Sequence, residues 1–341
     1  MRQFDIKSND GGQRLDKFVQ KTVRGMPSSL LYKYLRLKKI KVNGKRAEGG
    51  QMLAAGDVVT MYIPEEFFAG DAEKAERGNE LHRIKPKLTV VYEDKNVILL
   101  DKDPGVLAHT GDESEAHTDD FSERSTLLYH VTAYLCQKGE YDPAAENSFA
   151  PALCNRIDRN TGGLVIAAKN AAALREMNEL IRDDCVEKHY LAAVHGKTER
   201  REDRLTGFLR KDSKTKTVTV LSHPAPGARE IITEYRSLAY TGEEDLSLLD
   251  VHLVTGRTHQ IRAHLASVGH PLLGEGKYGV NRDDKRLGYA HQALYAYRVR
   301  FTVPEGRTLS YLNGKEFRVS ESRIRFLRLF GDDTAIRSLL R

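Results

Sequence analysis

One short segment brings together side chains that are able to do covalent chemistry. It runs from Asn155 to Lys169 and reads NRIDRNTGGLVIAAK, a polar loop that leads directly into an apolar strand. Asp158 stands between Arg156 and Arg159, and cationic neighbours favour the ionised form of a carboxyl group. An ionised carboxylate on a rigid strand can act as a general base or as a nucleophile. A purely structural salt bridge is the alternative interpretation of this cluster.

Other reactive residue types are sparse. The chain has three cysteines, Cys136, Cys154 and Cys185. They form no CxxC pair, so their spacing excludes a zinc ribbon and a thioredoxin-type redox site. Cys154 lies close to Asp158, and a catalytic thiol is an alternative there, although small thiols are usually buried in cores. His259 and His264 are five residues apart, which does not put both rings on one helical face. The sequence therefore predicts neither a metal ion nor a cofactor.

Basic charge is concentrated at the N-terminal end of the chain. The formal net charge of the whole chain is +6, yet residues 1–63 contain 13 Lys and Arg against 5 Asp and Glu. The remaining residues carry a slight acidic excess. A local basic surface attracts the phosphate backbone of nucleic acids without selecting a sequence. A solvated charged face without function is the alternative.

The basic end has the pattern of a small α/β module. Apolar residues between Leu15 and Val19 are spaced for one face of a helix. Pro27-Ser28-Ser29 is typical of a helix start, where serine hydroxyls bind free backbone N–H groups. The basic, amphipathic residues that follow predict a second helix. Asn43-Gly44, between two short β-rich runs, predicts a hairpin turn.

Composition divides the chain into four parts. They are a module over residues 1–64, a polar linker over 65–86, a large domain over 87–322 and a C-terminal extension over 323–341. In the large domain the pattern predicts strands at 88–94, 97–102 and 164–168, an acidic loop at 111–124 and a helix at 126–137. Strands and helices alternate irregularly after residue 164, which predicts the α+β class. We expect the sheet of this domain to be mixed and mainly antiparallel. The C-terminal extension has the composition of a helical cap.

Two parts of the chain resemble known families. Within residues 1–64, the RLDKF run, the basic second helix and the KVNGK hairpin together resemble the S4-type RNA-binding domain. The segment around Asp158 resembles the R-L-D-x-x-T-S-G-L signature of the RluA-type pseudouridine synthases. Asn155 and Gly162 stand where that family usually has His and Ser, and Gly162-Gly163 predicts a flexible loop before the strand. Four further motifs follow the family's pattern: LDKDPGVLAH at 100–109, KHYLAAVHG at 188–196, TGRTHQIRAHL at 255–265 and GHPLLG at 269–274.

The resemblance implies a role for each matching residue. It implies that Asp158 is the catalytic carboxylate, that Tyr190 lies against the extracted uracil ring, and that Arg262 holds Asp158 ionised. It implies that Arg156 fills the gap left in the RNA stack. The other residues expected to contact RNA are Arg257, Gln260 and Ile261 in the site, and Lys33, Arg36, Lys38, Lys39, Lys41 and Lys45 in the S4-like module.

The implied reaction turns uridine into pseudouridine within RNA and needs no cofactor. Large-subunit ribosomal RNA is the expected partner, and transfer RNA is left open. Whether Asp158 attacks carbon or removes the ribose 2′ proton is left open too. Two rival functions are an RNA-binding protein without catalysis and a hydrolytic nucleosidase. Sparse cysteines and an N-terminus without a signal sequence predict a cytoplasmic protein, and we expect a monomer without membrane contact.

Overall fold

The structure is a computed structural model of the chain, and it describes residues 1–23, 25–68, 70–110, 123–212, 215–279, 282–331 and 336. Most of the acidic loop predicted at 111–124 lies outside the described residues. The same is true of most of the C-terminal extension beyond residue 331. The α+β class predicted from the sequence is confirmed, because two sheets of different size pack with helices.

A small antiparallel sheet and two helices form the N-terminal module. Its elements are β1 Arg2–Asp5, α1 Leu15–Thr22, α2 Ser28–Arg36, β2 Ile40–Val42, β3 Lys45–Arg46 and β4 Val58–Met61. The strands are ordered β1-β4-β2-β3. Leu15 and Phe18 of α1 and Leu31 of α2 are fully buried against this sheet. The helix start at Ser28 is confirmed, but Pro27 is the N-cap residue, without a side-chain capping bond.

The hairpin predicted at Asn43-Gly44 is also confirmed. Asn43 has φ 51° and Gly44 has φ 73°, and two positive φ angles in succession give the turn whose twist matches the flanking strands. The turn pairs Val42 with Lys45. Lys41 and Lys45 consequently lie on neighbouring strands beside the C-terminal end of α2.

The segment predicted as a linker is helical. A 3-10 helix at Glu65–Phe68 precedes α3 Gly70–Arg83, which packs against α4 Leu127–Gln137. Leu81 of α3 is fully buried, and the Tyr129 hydroxyl of α4 donates to Glu80 at 2.8 Å. The polar sequence of α3 gives little amphipathic signal, so composition alone indicated an irregular linker. The limits of the predicted domains stay a prediction.

An eleven-stranded sheet, counted over the described residues, forms the large domain. Its strands are β5 Val90–Glu93, β6 Val97–Lys102, β7 Ala152–Leu153, β8 Gly162–Ala168, β9 Val186–His195, β10 Glu202–Asp212, β11 Thr217–Leu221, β12 Ala228–Thr241, β13 Leu246–Leu253, β14 Leu294–Phe301 and β15 Glu316–Arg318. The main path runs β11-β10-β12-β13-β9-β14-β8-β6-β5. Of the strand pairs in the described part of the chain, β14–β8 is parallel and the others are antiparallel. The mainly antiparallel sheet is thus confirmed.

Apolar side chains bury this sheet on two sides. Leu164 and Ile166 of β8 pack in one cluster together with α5 Ala171–Arg182. Val165 of the same strand packs in a second cluster with α4 and α6 Gln260–Ser267. Alternate residues of a strand point to opposite faces, so β8 is apolar throughout. A strand with this burial is a rigid base for the loop that precedes it.

A buried carboxylate joins the module to the large domain. Asp10 is completely buried. Its two oxygens accept hydrogen bonds from Ser148 N at 3.2 Å, Ser148 Oγ at 2.6 Å, Asn147 Nδ2 at 2.8 Å and Lys7 N at 3.2 Å. The neighbouring Asn9 accepts from the backbone N–H of Ala171 at 3.1 Å. These bonds fix the module on the large domain.

The described part of the C-terminal extension packs onto the large domain. Ile324, Phe326 and Leu327 are buried in the cluster that contains α5. Phe326 and Leu327 belong to the 3-10 helix Arg325–Phe330, and Ile324 links it to the preceding 3-10 helix Glu321–Arg323. Within the ranges that the structure describes, no helix combines the length and apolarity required to cross a membrane.

Candidate active site

The loop that carries Asp158 is held in place by polar side chains. Lys102 is buried, and its ammonium donates to three backbone carbonyls at 2.8–3.0 Å, one of which belongs to Arg159. On the other side, Asn155 Oδ1 accepts from the backbone N–H of Ile166 at 2.7 Å. Asn155 therefore extends the ladder of β8 with its side chain. The backbone on both sides of Asp158 is fixed by these bonds.

The two glycines after the loop serve close packing, and the flexible loop predicted from them is wrong. Both lie in β8 and are completely surrounded. A Cβ atom on Gly162 would overlap the Tyr295 ring, and one on Gly163 would overlap the backbone of Ala296. Gly163 also has φ 114°, which side chains rarely tolerate. Glycine is required here because two strands approach each other closely.

Asp158, Arg262 and Glu275 form a buried charged triad. Arg262 Nη1 donates to Asp158 Oδ2 at 2.9 Å. Its Nε and Nη2 donate to the two oxygens of Glu275 at 2.9 and 2.8 Å. The side chain of Glu275 is fully buried and that of Arg262 is 6% exposed, whereas that of Asp158 is 19% exposed. The guanidinium thus links a buried carboxylate to one that reaches the cavity.

The charges of the triad are fixed by this geometry. Burial opposes the charge of Arg262, but its two carboxylate partners outweigh burial and raise the pKa of the guanidinium above its ordinary value. Burial alone would raise the pKa of Glu275, yet the bonds from Arg262 lower it below the usual range. Both groups are therefore charged at neutral pH. A bidentate arginine–carboxylate pair holds its geometry tightly, so Arg262 is a rigid donor to Asp158.

Tyr190 lies in the same cavity as Asp158 and Arg262. The cavity has a volume of about 600 Å³, which is in the range of small-molecule sites. Tyr190 is 5% exposed, and burial together with the charge of Asp158 raises the pKa of its phenol. The phenol is therefore neutral. Ile261 and Leu294 add apolar walls to the same cavity.

Three further residues predicted to contact RNA also line this cavity. Arg156 and Arg257 are exposed at its rim. Gln260 is buried, and its amide oxygen accepts from Thr255 Oγ1 at 2.9 Å and from Arg257 N at 3.1 Å. Its amide nitrogen donates to Ile232 O and Thr233 Oγ1, both at 3.0 Å. This uses the full bonding capacity of the amide. Gln260 therefore positions the loop that carries Arg257.

The basic residues predicted to bind RNA lie on the N-terminal module, away from this cavity. Five of the six are exposed and Lys41 is half-buried. They occupy α2, the turn after it and the following hairpin. The set consists of Lys33, Arg36, Lys38, Lys39, Lys41 and Lys45. The structure thus brings the three residues expected to be catalytic together and keeps the basic set as a separate surface.

Sequence reasoning missed Glu275. It singled out Tyr278 as a candidate border of the RNA channel, with simple surface as the alternative. Glu275 stands between two glycines in Gly274-Glu275-Gly276, a short run that gives no local sign of a role in catalysis. The Tyr278 ring lies 5.6 Å from the Arg262 guanidinium, and its hydroxyl is hydrogen-bonded to His259 Nδ1 at 2.6 Å. One indirect signal was present in the sequence, because a buried guanidinium needs more than one acceptor.

Cys154 is the alternative reactive group that the sequence places near Asp158. Burial raises the pKa of Cys154 to about 12, so its thiol is neutral and a poor nucleophile. Among the described residues, no three His, Cys, Asp or Glu side chains are placed to hold a metal ion. His264 Nδ1 is hydrogen-bonded to Thr233 Oγ1 at 3.0 Å. Asp158 therefore stays the predicted reactive group, and its carboxylate lines the cavity.

Comparison with known proteins matches this geometry to one family. A sequence model of the RNA pseudouridylate synthase family matches residues 96–267, a range that contains Asp158, Tyr190 and Arg262. An uncharacterized RNA pseudouridine synthase of Mycoplasma genitalium is 31% identical over 328 residues, 94% of this chain and 95% of its own. Ribosomal large subunit pseudouridine synthase C of Escherichia coli is 30% identical over 308 residues, 88% of each chain.

A solved structure shares the fold. The chain titled human RNA pseudouridylate synthase domain containing 4 matches with a TM-score of 0.51 and 18% identity, covering 74% of this chain and 97% of that one. The family model and the extended sequence identity to full-length relatives carry the assignment. The chain belongs to the RNA pseudouridylate synthase family, whose members are isomerases.

Proposed function

We propose that this protein isomerises uridines in large-subunit ribosomal RNA and that Asp158 is its catalytic carboxylate. The observation that carries the proposal is the shared cavity of Asp158, Tyr190 and Arg262, in which Arg262 bonds to Asp158 at 2.9 Å. Relatives named ribosomal large subunit pseudouridine synthase C, at 30% identity over most of both chains, support the substrate.

The reaction is balanced without a co-reactant. The N1–C1′ bond of uridine breaks, the uracil turns, and a C5–C1′ bond forms; the proton lost from C5 is matched by one gained at N1. Asp158 starts the reaction either by attack on a carbon centre or by removing the ribose 2′ proton. Arg262 and Glu275 keep its oxygen aimed at the cavity. The site supplies orientation and a fixed charge pattern.

The target nucleotide must leave the RNA stack to reach Asp158. Flipping costs a few kcal/mol. Tyr190 offers a ring for the uracil to lie against, and Ile261 offers an apolar wall. Arg156, exposed at the rim, fills the gap left in the stack. These contacts offset the cost of flipping.

The N-terminal module docks the RNA as an S4-like domain. Its basic surface, the six-residue set on α2 and the hairpin, is exposed and suited to contact phosphates. Because the bonds to Asp10 fix the module on the large domain, this surface stands in one orientation relative to the cavity. A monomeric state and a cytoplasmic location stay predictions.

Purified protein incubated with unmodified large-subunit ribosomal RNA tests the proposal. We expect pseudouridine at specific positions when the product is mapped at single-nucleotide resolution. Asp158→Asn is the matched control, and it should lower the rate by about 10³-fold or more. Transfer RNA is assayed in parallel. Modification of transfer RNA alone would contradict the substrate, and release of free uracil would favour the nucleosidase. Bound but unmodified RNA from a deficient strain would favour an RNA-binding protein.

Salt dependence tests the docking surface. Replacing Lys38, Lys39 and Lys41 by alanine should weaken RNA binding and flatten the plot of log affinity against log salt by about 0.7 for each phosphate that the variant no longer neutralises. The slope is measured by fluorescence anisotropy between low and high salt. Replacing Arg307 and Lys315, which belong to the large domain and do not line the cavity, is the control. An unchanged slope in the triple variant would contradict the docking role.

A further inference from the structure

The cavity of the active site has a second end that the reaction described above does not use. Beyond Tyr190 it continues to the C-terminal end of α5 and the start of β9. Asn178, Arg182, Asp184 and Lys188 line this end. We name these four residues the side arm. Because the side arm belongs to the same cavity as Asp158, a group placed in it belongs to the nucleotide being modified or to its neighbour.

Lys188 forms the floor of the side arm. It is nine-tenths buried, and it lies two residues before Tyr190 on β9, which places both side chains on one side of the strand, roughly 7 Å apart along it. Its ammonium donates to Val186 O at 3.0 Å. An ammonium has three N–H donors. Within the described part of the chain this one bond to Val186 O is its hydrogen bond, so two donors are left at a wall of the cavity.

Two other buried lysines of this protein have more partners for their ammonium groups. Lys102 donates to three carbonyl oxygens. Lys169 bonds to the carboxylate of Glu93 at 2.7 Å, to Asp94 O at 2.6 Å and to the carboxylate of Glu140. By contrast, among the described residues no carboxylate forms an ion pair with Lys188. Burial lowers the pKa of its ammonium, and the nearby charge of Asp184 opposes that shift. A buried cation without an anionic partner is costly in free energy, and this cost is recovered when an anion binds.

We propose that the side arm binds a backbone phosphate next to the flipped uridine, with Lys188 as its buried ligand and Arg182 as an exposed cation at the entrance. The proposal rests on the function proposed above. Arg182 is exposed, with a side chain 70% accessible, so it meets the RNA backbone before the nucleotide is seated. RNA carries one phosphate on each side of every nucleotide, so a flipped uridine carries two phosphates toward the cavity. An ammonium pairs with an oxyanion more strongly than with a neutral carbonyl.

The test replaces one phosphate by a neutral group. Short RNA hairpins are made with a methylphosphonate on the 5′ or the 3′ side of one uridine. This is the uridine mapped above or, if the wild type forms no pseudouridine, a loop uridine of a hairpin that the wild type binds. Each is assayed with the wild type, Lys188→Met and Lys188→Arg. One of the two neutral linkages should lower kcat/KM of the wild type by about ten- to hundredfold, the value of one charge-assisted hydrogen bond. Lys188→Met should show a similar loss on unmodified RNA, mainly in KM, and no further loss on that hairpin.

Lys188→Arg keeps the charge and should recover part of the affinity for unmodified RNA. Suppose instead that Lys188→Met lowers kcat/KM by the same factor on the unmodified hairpin and on both methylphosphonate hairpins. The losses are then independent, and the phosphate contact is refuted. A loss confined to kcat would also overturn it and would assign Lys188 to the charge that develops on the uracil. If Lys188→Met does not fold, the wild type alone decides, because equal rates on all three hairpins would contradict the proposal.

Binding measurements separate this proposal from the proposed function. The affinities of Asp158→Asn and of the double variant Asp158→Asn/Lys188→Met for the three hairpins are compared by anisotropy. Methylphosphonate-sensitive binding that depends on Lys188 supports the side arm even if the wild type forms no pseudouridine. Insensitive binding together with full wild-type activity refutes the side arm and leaves the proposed function intact.

Discussion

The carboxylates of Asp10 and Asp158 are held in contrasting ways. Asp10 is completely buried at the junction between the module and the large domain. It accepts four hydrogen bonds of 2.6–3.2 Å, all from neutral donors. The side chain of Asp158 is 19% exposed to the cavity, and of the described residues only Arg262 bonds to it.

The difference separates a carboxylate that joins domains from one that we propose does chemistry. At the junction, full hydrogen bonding removes any reactivity and fixes one arrangement of the two domains. At the site, a single charged donor orients Asp158 while leaving its carboxylate accessible to a substrate. The orienting donor is itself fixed by Glu275, which is as deeply buried as Asp10. The fully buried and tightly bonded carboxylate is therefore that of Glu275, and the carboxylate of Asp158 stays open to the substrate.

The largest effect should come from removing the donor to Asp158. Arg262→Ala should abolish turnover, with a loss of about 10³-fold or more in kcat, while RNA affinity stays within about tenfold, because Arg262 orients Asp158 and does not dock RNA. Single-turnover assays and anisotropy measure the two quantities. Arg262→Lys is the control, since lysine keeps the charge but lacks the planar fork. A comparable loss of RNA affinity, or loss of folding, would contradict this assignment.

Glu275→Gln should have the next largest effect. It leaves the Arg262 charge with one carboxylate partner, so we expect a loss of about 3 kcal/mol in the free energy of unfolding and a fall in kcat of about 10- to 100-fold. Urea titrations and rate measurements test both.

The difference in stability between wild type and Glu275→Gln should depend on pH. The pKa of Glu275 is lowered by folding, so its contribution is full above its ordinary value of 4.5 and is lost as the pH falls toward the folded value. Urea titrations at neutral pH and at pH values below 4.5 should therefore show a shrinking difference. A constant difference would mean that the Glu275 charge does not stabilise the fold.

Asp10→Asn tests the other half of the comparison. The amide loses acceptor capacity for the Ser148 and Asn147 donors, so we expect the free energy of unfolding to fall by about 1–3 kcal/mol. kcat on a short hairpin should stay unchanged, because Asp10 lies outside the cavity, whereas kcat/KM on long ribosomal RNA should fall. Asp5→Asn, at an exposed aspartate within the same module, is the control. A large loss of kcat on the hairpin would break the distinction between the two carboxylates.

Tyr190→Phe should have the smallest effect, about tenfold or less in kcat. The neutral phenol is suited to lie against the base, and the ring is kept in phenylalanine. A general base contributes roughly 10²–10⁴-fold, so a loss of that size would assign proton removal from C5 to the hydroxyl. Tyr190→Ala, which removes the ring, is the matched comparison and should be much slower than Tyr190→Phe.

Local patterns predicted much of this molecule. Apolar spacing placed the helix that begins at Leu127, and Asn43-Gly44 placed the hairpin. The family motifs alone singled out Asp158, Tyr190 and Arg262, which share one cavity in the structure. These features are encoded within short stretches of sequence, where neighbours along the chain decide the structure.

Contacts between distant residues were not predictable in this way. Glu275 acts through Arg262 on Asp158, which is more than a hundred residues earlier in the chain. Asp10 meets Ser148 across a similar separation. Leu81, the one leucine of α3, is deeply buried, but the helix sequence around it is polar. Partners of this kind are set by the tertiary fold, and no local pattern specifies them.

Gly162 lacks a side chain, and this limits which residues of related proteins can be introduced at position 162. The space that a serine would need is filled by the ring of Tyr295, whose hydroxyl donates to Asp101 at 2.7 Å; Arg323 donates to the same carboxylate at 2.9 Å. Introducing the family's usual serine at 162 therefore requires a smaller residue at 295, and that residue would release Asp101 from one of its two donors. We therefore expect substitutions at 162, 295 and 323 to occur together among related sequences. Arg323 of the C-terminal extension thus shares in setting the sequence of the loop that carries Asp158.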